Sequence, residues 1–502
     1  MIRIKLRCAF LSTFILIVPT LMHAKNADIK RVELDKTSSN DFKICSSIGE
    51  KGLLLGTIEK EKQKGAEKKH EIWTITKMDT LLNNTASIDI TVGSNCQRRA
   101  LDDDGKFFLI SSNFGATKWG HQRYEITILD YDKMTTTRYD GSIDKYFPTW
   151  EDPMVLGDYL YMLGEAYFSQ PFMLITNIKT GESNFVDINT LDKKNYAIMS
   201  YNVDKTHNEV HVLTKEKNGK EGYVTKLYTF SDGKKTNEMS FNVKGDKKYP
   251  ATAFVSKLND GNYLFSGTYS LSENSKMKEA VGIFVLKTDS NGKTLFSTFT
   301  NFLDLKNFTS YMSDKNKSGI EVEKSKSEAN GKELTKEYNI LPYNAIENDG
   351  KYLLIGEAYY SVWETEVDKN GVSGSHFLGY NYTHYFIVEY NNEGKVEWSN
   401  AAELNVKMMP VRMKHLAVNK DANSLQIVYP SYGCVVKTSY DSNGDEISTE
   451  EIKYVGDEET LRRSFDLDTK YWYGTHFLAT GKLLTKSKEG REKVYSILKI
   501  TY

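Results

Sequence analysis

Aromatic residues are concentrated in one segment of the chain, Tyr359 to Tyr382, where glycine, asparagine and charged residues separate them. Tyrosine and tryptophan on loops that a rigid scaffold supports are typical contact residues for sugars, peptides and proteins. The same rings can instead pack into a small cluster beneath their own loop. The candidate contact residues of this segment are Tyr359, Tyr360, Trp363, Phe377, Tyr380 and Tyr382.

Arginine residues form a second group of candidates, because the guanidinium group binds anions through paired hydrogen bonds. Several arginines occupy similar places near the start of repeated units, so the fold can bring them toward a common axis. The alternative is that they pair with nearby carboxylates. The candidates of this kind are Arg98, Arg99, Arg412 and Arg463. Trp150 precedes an inner strand, and we predict that it lines the mouth of the axial channel.

Sequence motifs for catalysis, phosphate binding or metal binding are absent. The segment Leu101–Lys106, "LDDDGK", resembles a calcium loop, but its Asp104 aligns with Asp260 and Asp349, which precede glycine in the same repeated turn. Cys434 lies in a predicted strand with no histidine nearby in sequence, which favours a structural thiol. We therefore predict no cofactor and no metal, and we assign no catalytic residue.

The composition favours a β-sheet protein without nucleic-acid partners. The 502 residues include 66 Lys+Arg and 67 Asp+Glu, a balance that argues against a protein that coats nucleic acid. Aromatic residues make up 12% of the chain and prolines number only 8, which suits half-buried strands.

The first 24 residues have the pattern of a secretory signal peptide. A positively charged start is followed by an apolar run from Ala9 to Met22, which is too short to span a bilayer, and by a small residue at Ala24. We predict a signal peptide at 1–24, export to the periplasm, cell surface or medium, and no membrane insertion afterwards. Three cysteines remain, of which Cys45 and Cys96 either form a disulfide or stay as buried thiols.

A two-part phrase recurs along the chain. "NDGNYLFSG" (Asn259–Gly267) precedes "LKTDSNGKTLF" (Leu286–Phe296), and "NDGKYLLIG" (Asn348–Gly356) precedes "VEYNNEGKVEW" (Val388–Trp398). Each phrase reads as a turn and a strand, followed by a hairpin whose turn contains glycine. Weaker copies bring the total to eight units at a spacing of about 53 residues.

A period near 50 residues with several short strands per unit is typical of a β-propeller. We predict an all-β fold, a single propeller over residues 25–502 with eight four-stranded blades, or seven if the weak unit at Asn208–Thr214 is misread. The last unit ends at Tyr502 after three strands. We therefore expect the segment Ile29–Lys36 to supply the fourth strand and close the ring, because an open ring would expose an unpaired edge.

The paired phrases at Asp260–Phe296 and Asp349–Trp398 resemble exported bacterial propeller-like repeat proteins, whose units run roughly "DGGY-apolar-GS … VKLD-x-x-G-x-x-x-W". The resemblance is good over these two units and weak elsewhere. It implies a propeller fold and export, and it implies no catalytic residues.

Two insertions interrupt the regular spacing, at about 301–343 and 359–385. Alternating strand directions place both on one face of the ring, on adjacent blades. We therefore predict a monomeric binding module that contacts an extracellular or envelope partner, a protein or a glycan, through this face. Two alternatives stay open: a polysaccharide hydrolase or lyase with two opposed acids in an axial pocket, and an envelope assembly scaffold.

Overall fold

The computed structural model describes most of the chain after the predicted signal peptide. The described residues are 28–34, 43–60, 70–93, 96–102, 104–113, 122–143, 149–165, 171–188, 196–217, 222–243, 245, 247–273, 279–367, 373–421, 424–431, 433–455, 460–487 and 490–502. The predicted signal peptide at 1–24 lies outside this part of the chain.

The strands form eight antiparallel sheets, which we number as blades 1 to 8 and whose strands we letter A to D. From blade 2 to blade 5, and between blades 7 and 8, strand A packs against strand A of the next blade, which places the A strands nearest the axis of the ring. In two blades strand A is divided into two segments.

Blades 1 to 4 contain Lys43–Ser47, Leu53–Lys60, His70–Met78 and Asn84–Gly93; Cys96–Leu101, Lys106–Asn113, Gln122–Asp130 and Thr135–Ile143; Thr149–Trp150 with Met154–Leu156, Tyr159–Glu165, Pro171–Asn177 and Ser183–Asp187; and Tyr196–Asp204, Glu209–Lys217, Tyr223–Ser231 and Lys234–Phe241. Blades 5 to 8 contain Tyr249–Lys257, Tyr263–Ser270, Gly282–Thr288 and Thr294–Asn301; Asn339–Pro342 with Ile346–Asn348, Lys351–Val367, Ser373–Tyr390 and Val396–Met409; Ala417–Lys420, Leu425–Ser431, Cys434–Tyr440 and Glu446–Lys453; and Thr460–Tyr473, His476–Ser487, Gly490–Thr501 and Asp28–Leu34.

The two ends of the chain share blade 8. Asp28–Leu34 runs antiparallel to Gly490–Thr501, with Asp28 opposite Thr501 and Leu34 opposite Tyr495. Val32 of this strand is buried in the core between blades 8 and 1. The predicted eight-bladed propeller, closed by the N-terminal strand, is therefore confirmed.

The hydrophobic core lies between neighbouring blades. Gly282–Thr288 in strand C of blade 5 is almost continuously buried, because one of its faces meets blade 4 and the other meets blade 6. Strands covered on both faces favour unbroken apolar runs over alternation. This explains why the repeated phrases are most apolar in strands B and C.

The repeated phrase also encodes contacts between blades. Gly394, in the turn between strands C and D of blade 6, packs against Phe296 in strand D of blade 5, and Gly444 of blade 7 packs against Trp398 of blade 6. Both glycines have positive φ, and a Cβ at either position would overlap the aromatic ring. The glycine and the terminal aromatic residue of the phrase therefore meet in adjacent blades, as well as forming the same hairpin in each blade.

The three cysteines are free thiols. Cys45 packs in the core between blades 8 and 1, whereas Cys96 packs between blades 1 and 2, so the sheet of blade 1 separates them. Burial raises the pKa of both thiols to about 12 and that of Cys434 to about 11. The option of a disulfide between Cys45 and Cys96 is therefore not realised.

Helices are few. The α-helix Asp314–Ala329 lies in the connection between blades 5 and 6, and the 3-10 turns are Gly49–Lys51 and Phe302–Asp304. The first predicted insertion therefore contains a regular helix, although none of its residues is buried. No helix within the described ranges combines the length and the apolar character needed to cross a bilayer.

Candidate functional site

Strands B and C of blade 6, Lys351–Val367 and Ser373–Tyr390, extend well beyond the rest of their sheet. Strand A pairs with strand B only as far as Tyr359, and strand D pairs with strand C only as far as Tyr380. We call the two-stranded part beyond these residues the blade-6 hairpin. At ~3.3 Å per residue it is about 25 Å long. The second predicted insertion is thus a paired β-structure and not a loop.

Five aromatic rings follow one another along this hairpin and into the sheet, and we call them the aromatic ridge. Ring centroids lie 5.3 Å apart between Trp363 and Phe377, and 4.8 Å apart between Phe377 and Tyr380. Tyr359 continues the row at 5.7 Å from Tyr380 and 5.9 Å from Tyr382. Cross-strand pairing brings Trp363 opposite Phe377, which explains why residues separated in sequence form one row.

Exposure divides the six predicted aromatic residues into two groups. Trp363 is 58% exposed and Phe377 is 36% exposed, whereas Tyr359 and Tyr382 are buried. Tyr360 is exposed but points to the opposite side of strand B from Trp363, as the alternation of a strand requires. The inner rings therefore form the local cluster that the sequence left open, and the outer rings form a solvent-facing surface.

The connection between blades 6 and 7 holds the base of the ridge. The Tyr382 hydroxyl donates to the Met413 carbonyl at 2.8 Å and accepts from the Met413 N–H at 3.0 Å. Arg412 donates to the Tyr359 hydroxyl at 3.3 Å, and the His415 ring packs edge-on against Tyr382 at 4.5 Å. The ridge therefore rises from a base with fixed side-chain positions.

A buried polar cluster lies beneath this base. Glu357 is fully buried, and its Oε1 atom accepts hydrogen bonds from the Tyr343 hydroxyl and from the backbone N–H groups of His415 (2.7 Å) and Leu416 (3.1 Å). Burial raises the pKa of Glu357 to about 7, against the opposing effect of these hydrogen bonds. The Oε1 atom therefore links strand B of blade 6 to the connection that leads into blade 7.

Two basic residues accompany Glu357. Burial lowers the pKa of His415 to about 4, and neither of its ring nitrogens has a hydrogen-bond partner in the described part of the chain. Lys414 reaches solvent, and its ammonium group lies 4.5 Å from the ring centre of Tyr343 and 5.3 Å from that of Phe254 in blade 5. Desolvation by the surrounding protein lowers the pKa of Lys414. These contacts tie blades 5, 6 and 7 together beneath the ridge.

The connection after blade 5 packs against the same part of blade 6. The buried His384 of strand C stacks on Tyr311 at 4.3 Å and meets Phe308 edge-on at 4.5 Å. Burial lowers the pKa of His384 to about 3. Both insertions therefore meet on blade 6, in agreement with their predicted position on adjacent blades.

The remaining predicted site residues are dispersed. Trp150 is buried and contacts Phe172 edge-on at 5.3 Å, so it belongs to the core between blades 2 and 3 and not to the mouth of a channel. The Arg99 guanidinium lies 6.0 Å from the Trp73 ring centre. Arg412 is the predicted arginine that joins the aromatic residues. Strands of blades 2 and 8 contain Arg98 and Arg463, whose side chains lie outside the described residues.

The sequence analysis missed Glu357, His415 and Lys414. Glu357 and His415 are 58 positions apart in the chain and come into contact only because the ring places blades 6 and 7 side by side. A charged face of the hairpin, formed by Glu364, Glu366 and His376, was also missed. The signal for that face was present: strict alternation in "WETEV" places both glutamates on the side opposite Trp363.

The chain matches no protein-family model and no curated protein. Solved structures resemble it in shape. The polysaccharide lyase Uly1 aligns at a TM-score of 0.39 and 10% identity, covering 92% of this chain and 99% of that one. The WD40 domain of SCAP from fission yeast aligns at 0.40 and 9% identity, covering 95% and 98%. A PL25 ulvan lyase aligns at 0.37 and 10% identity, covering 78% and 92%. At such values the likenesses carry no argument about function.

Proposed function

We propose that this chain is an exported binding module that holds a protein partner through the outer part of the aromatic ridge. The observation that carries the proposal is the exposure of Trp363 and Phe377 on a two-stranded extension of blade 6. Export is supported by the signal-like pattern of the first 24 residues.

A row of large exposed aromatic rings leaves a contiguous apolar surface in contact with water, which an isolated exposed residue does not. Contiguous apolar surface on a soluble protein marks interaction sites more often than it marks neutral surface. Tryptophan and tyrosine dominate the energetics of protein interfaces because they bury a large area with few rotatable bonds.

The shape of the ridge favours a protein over a glycan. Trp363 and Phe377 cross at 62°, and Phe377 and Tyr380 cross at 60°. Rings packed in this way present edges as well as faces, and they form a convex ridge rather than a flat platform on which a sugar ring stacks. A convex apolar ridge fits a groove in another protein.

The base of the ridge favours tight binding because it is already ordered. Tyr359 and Tyr382 are held by hydrogen bonds from the connection between blades 6 and 7. Little conformational entropy remains to be lost there when a partner binds, so more of the contact energy contributes to affinity.

Site-specific photo-crosslinking tests the proposal in the native producing cells. A photoreactive amino acid at Thr365, on the same side of strand B as Trp363, should give an adduct of discrete mass. The same group at Ile447, which is 61% exposed on blade 7, is the matched control and should give none. With the purified partner, Trp363→Ala and Phe377→Ala should each weaken binding at least about tenfold, and Ile447→Ala should not.

Two results would overturn the proposal. Equal adducts at Thr365 and Ile447, or partner binding unaffected by Trp363→Ala, would remove the ridge as the contact surface. An adduct whose added mass is removed by glycosidases would retain the ridge but replace the protein partner by a glycan.

A further inference from the structure

The face of the blade-6 hairpin opposite the ridge brings three metal-ligating side chains together. The His376 Nε2 atom lies 3.2 Å from Oε2 of Glu364, and one carboxylate oxygen of Glu366 completes a group in which all ligand atoms lie within 4.8 Å of one another. All three side chains are exposed, so an ion can reach them directly.

The register of the hairpin explains this grouping. Glu364 is directly opposite His376 across the strand pair, and Glu366 is two residues further along the same strand. Side chains two positions apart in a strand point to the same side, and directly opposed residues lie side by side. The cluster is therefore held by backbone pairing and not by a chance meeting of surface loops.

The distances suit a small divalent ion. Bonds of about 2.0–2.2 Å in tetrahedral geometry separate neighbouring ligand atoms by roughly 3.3–3.5 Å. The separation of 3.2 Å between Glu364 and His376 is close to that edge, and only Glu366 must turn inward.

The donor types select the ion. One imidazole nitrogen with two carboxylates is a set that zinc accepts, whereas calcium and magnesium prefer oxygen donors alone. The two carboxylates also repel each other, and one imidazole does not compensate both, so a divalent cation relieves the repulsion.

We propose that Glu364, Glu366 and His376 form a Zn²⁺ site on the charged face of the blade-6 hairpin. Three protein ligands leave a fourth coordination position for water or for a donor from another molecule. The site does not depend on the ridge having a partner, since its ligands face the other side of the hairpin.

Isothermal titration of the purified, tag-free chain with ZnCl₂ at pH 7.4 tests the site. We expect one bound ion per chain, with His376→Ala and Glu366→Gln each weakening zinc binding at least about tenfold. The matched control is His207→Ala, because His207 pairs with Asp204 at 2.8 Å and belongs to no such group of three ligands among the described residues. Its zinc affinity should equal that of the parent.

X-ray absorption at the zinc edge is the second measurement. It should show one imidazole in a shell of light N/O donors and no sulfur, and the imidazole signal should disappear in His376→Ala. Absence of zinc binding, equal affinity in parent and His376→Ala, or a sulfur donor in the shell would each overturn the proposal. Thermal unfolding of His376→Ala at the parent's temperature shows that any loss is not a loss of fold.

Discussion

The buried carboxyl of Glu357 should make the stability of the ring depend on pH. Burial raises the pKa of Glu357 from 4.5 in the unfolded chain to about 7 in the folded chain. Between these values the folded chain binds more protons than the unfolded chain, so this group's contribution to stability is complete below pH 4.5 and is lost as the pH rises through 7. At ~1.36 kcal/mol per pH unit, the loss is about 3 kcal/mol.

Glu357→Gln removes this dependence and keeps the hydrogen bonds. The amide oxygen can accept from Tyr343, His415 and Leu416 as Oε1 does, and the amide carries no charge at any pH. With an unfolding entropy of ~2.1 cal/mol/K per residue, a ring of this size changes its Tm by about 1 °C per kcal/mol. We therefore expect the Tm of Glu357→Gln, relative to the parent, to rise by about 3 °C between pH 5 and pH 8.

Differential scanning calorimetry at constant ionic strength measures this difference. Tyr343→Phe is the matched control, because it keeps the acid and removes a hydrogen bond that lowers the Glu357 pKa, so its Tm should fall with rising pH at least as steeply as that of the parent. Parallel Tm profiles for the parent and Glu357→Gln would refute the reasoning that burial of this carboxyl controls the slope.

Two further predictions concern packing around the hairpin and between blades. Burial lowers the pKa of His384 from 6.5 to about 3, so its contribution to stability is present above pH 6.5 and is lost as the pH falls. The variant His384→Phe keeps the stack on Tyr311, and between pH 7 and pH 4.5 its Tm should fall by about 3 °C less than the Tm of the parent. An equal fall in Tm would contradict the assignment. Gly444→Ala should destabilise the ring by about 2 kcal/mol or more, because alanine tolerates positive φ poorly and its Cβ would overlap Trp398. Gly319→Ala in the exposed helix, where a Cβ meets open space, should instead stabilise the protein by about 0.5–1 kcal/mol. If thermal melts showed the Tm of both variants shifted in the same direction, the packing account would be contradicted.

The architecture was predictable because it is written locally and repeatedly. Each Asp-Gly turn and each glycine-containing hairpin specifies its own blade, and the missing fourth strand after Tyr502 identified Ile29–Lys36 as the closing segment. The contact of Gly444 with Trp398 was not visible, because it joins adjacent blades and depends on how they stack.

The candidate site was predictable only in part. The concentration of aromatic residues in the second insertion was enough to identify the exposed rings. The pairing of Lys351–Val367 with Ser373–Tyr390 along its whole length was not predicted, so a hairpin was interpreted as a loop. The burial of Trp150 depends on Phe172 in a different strand, and the environment of Glu357 depends on His415 in the next blade. Such contacts follow from the curvature and closure of the ring. Neither property can be inferred from the residue type at a single position.

The position of the hairpin depends on the closed ring. Hydrogen exchange of the N-terminal segment tests this closure most directly. In the native chain, the amides of residues 28–34 that pair with 495–501 should exchange at least about a hundredfold more slowly than the same amides in the denatured chain. Exchange of the whole segment at the denatured rate would contradict a ring in which the two ends of the chain share blade 8.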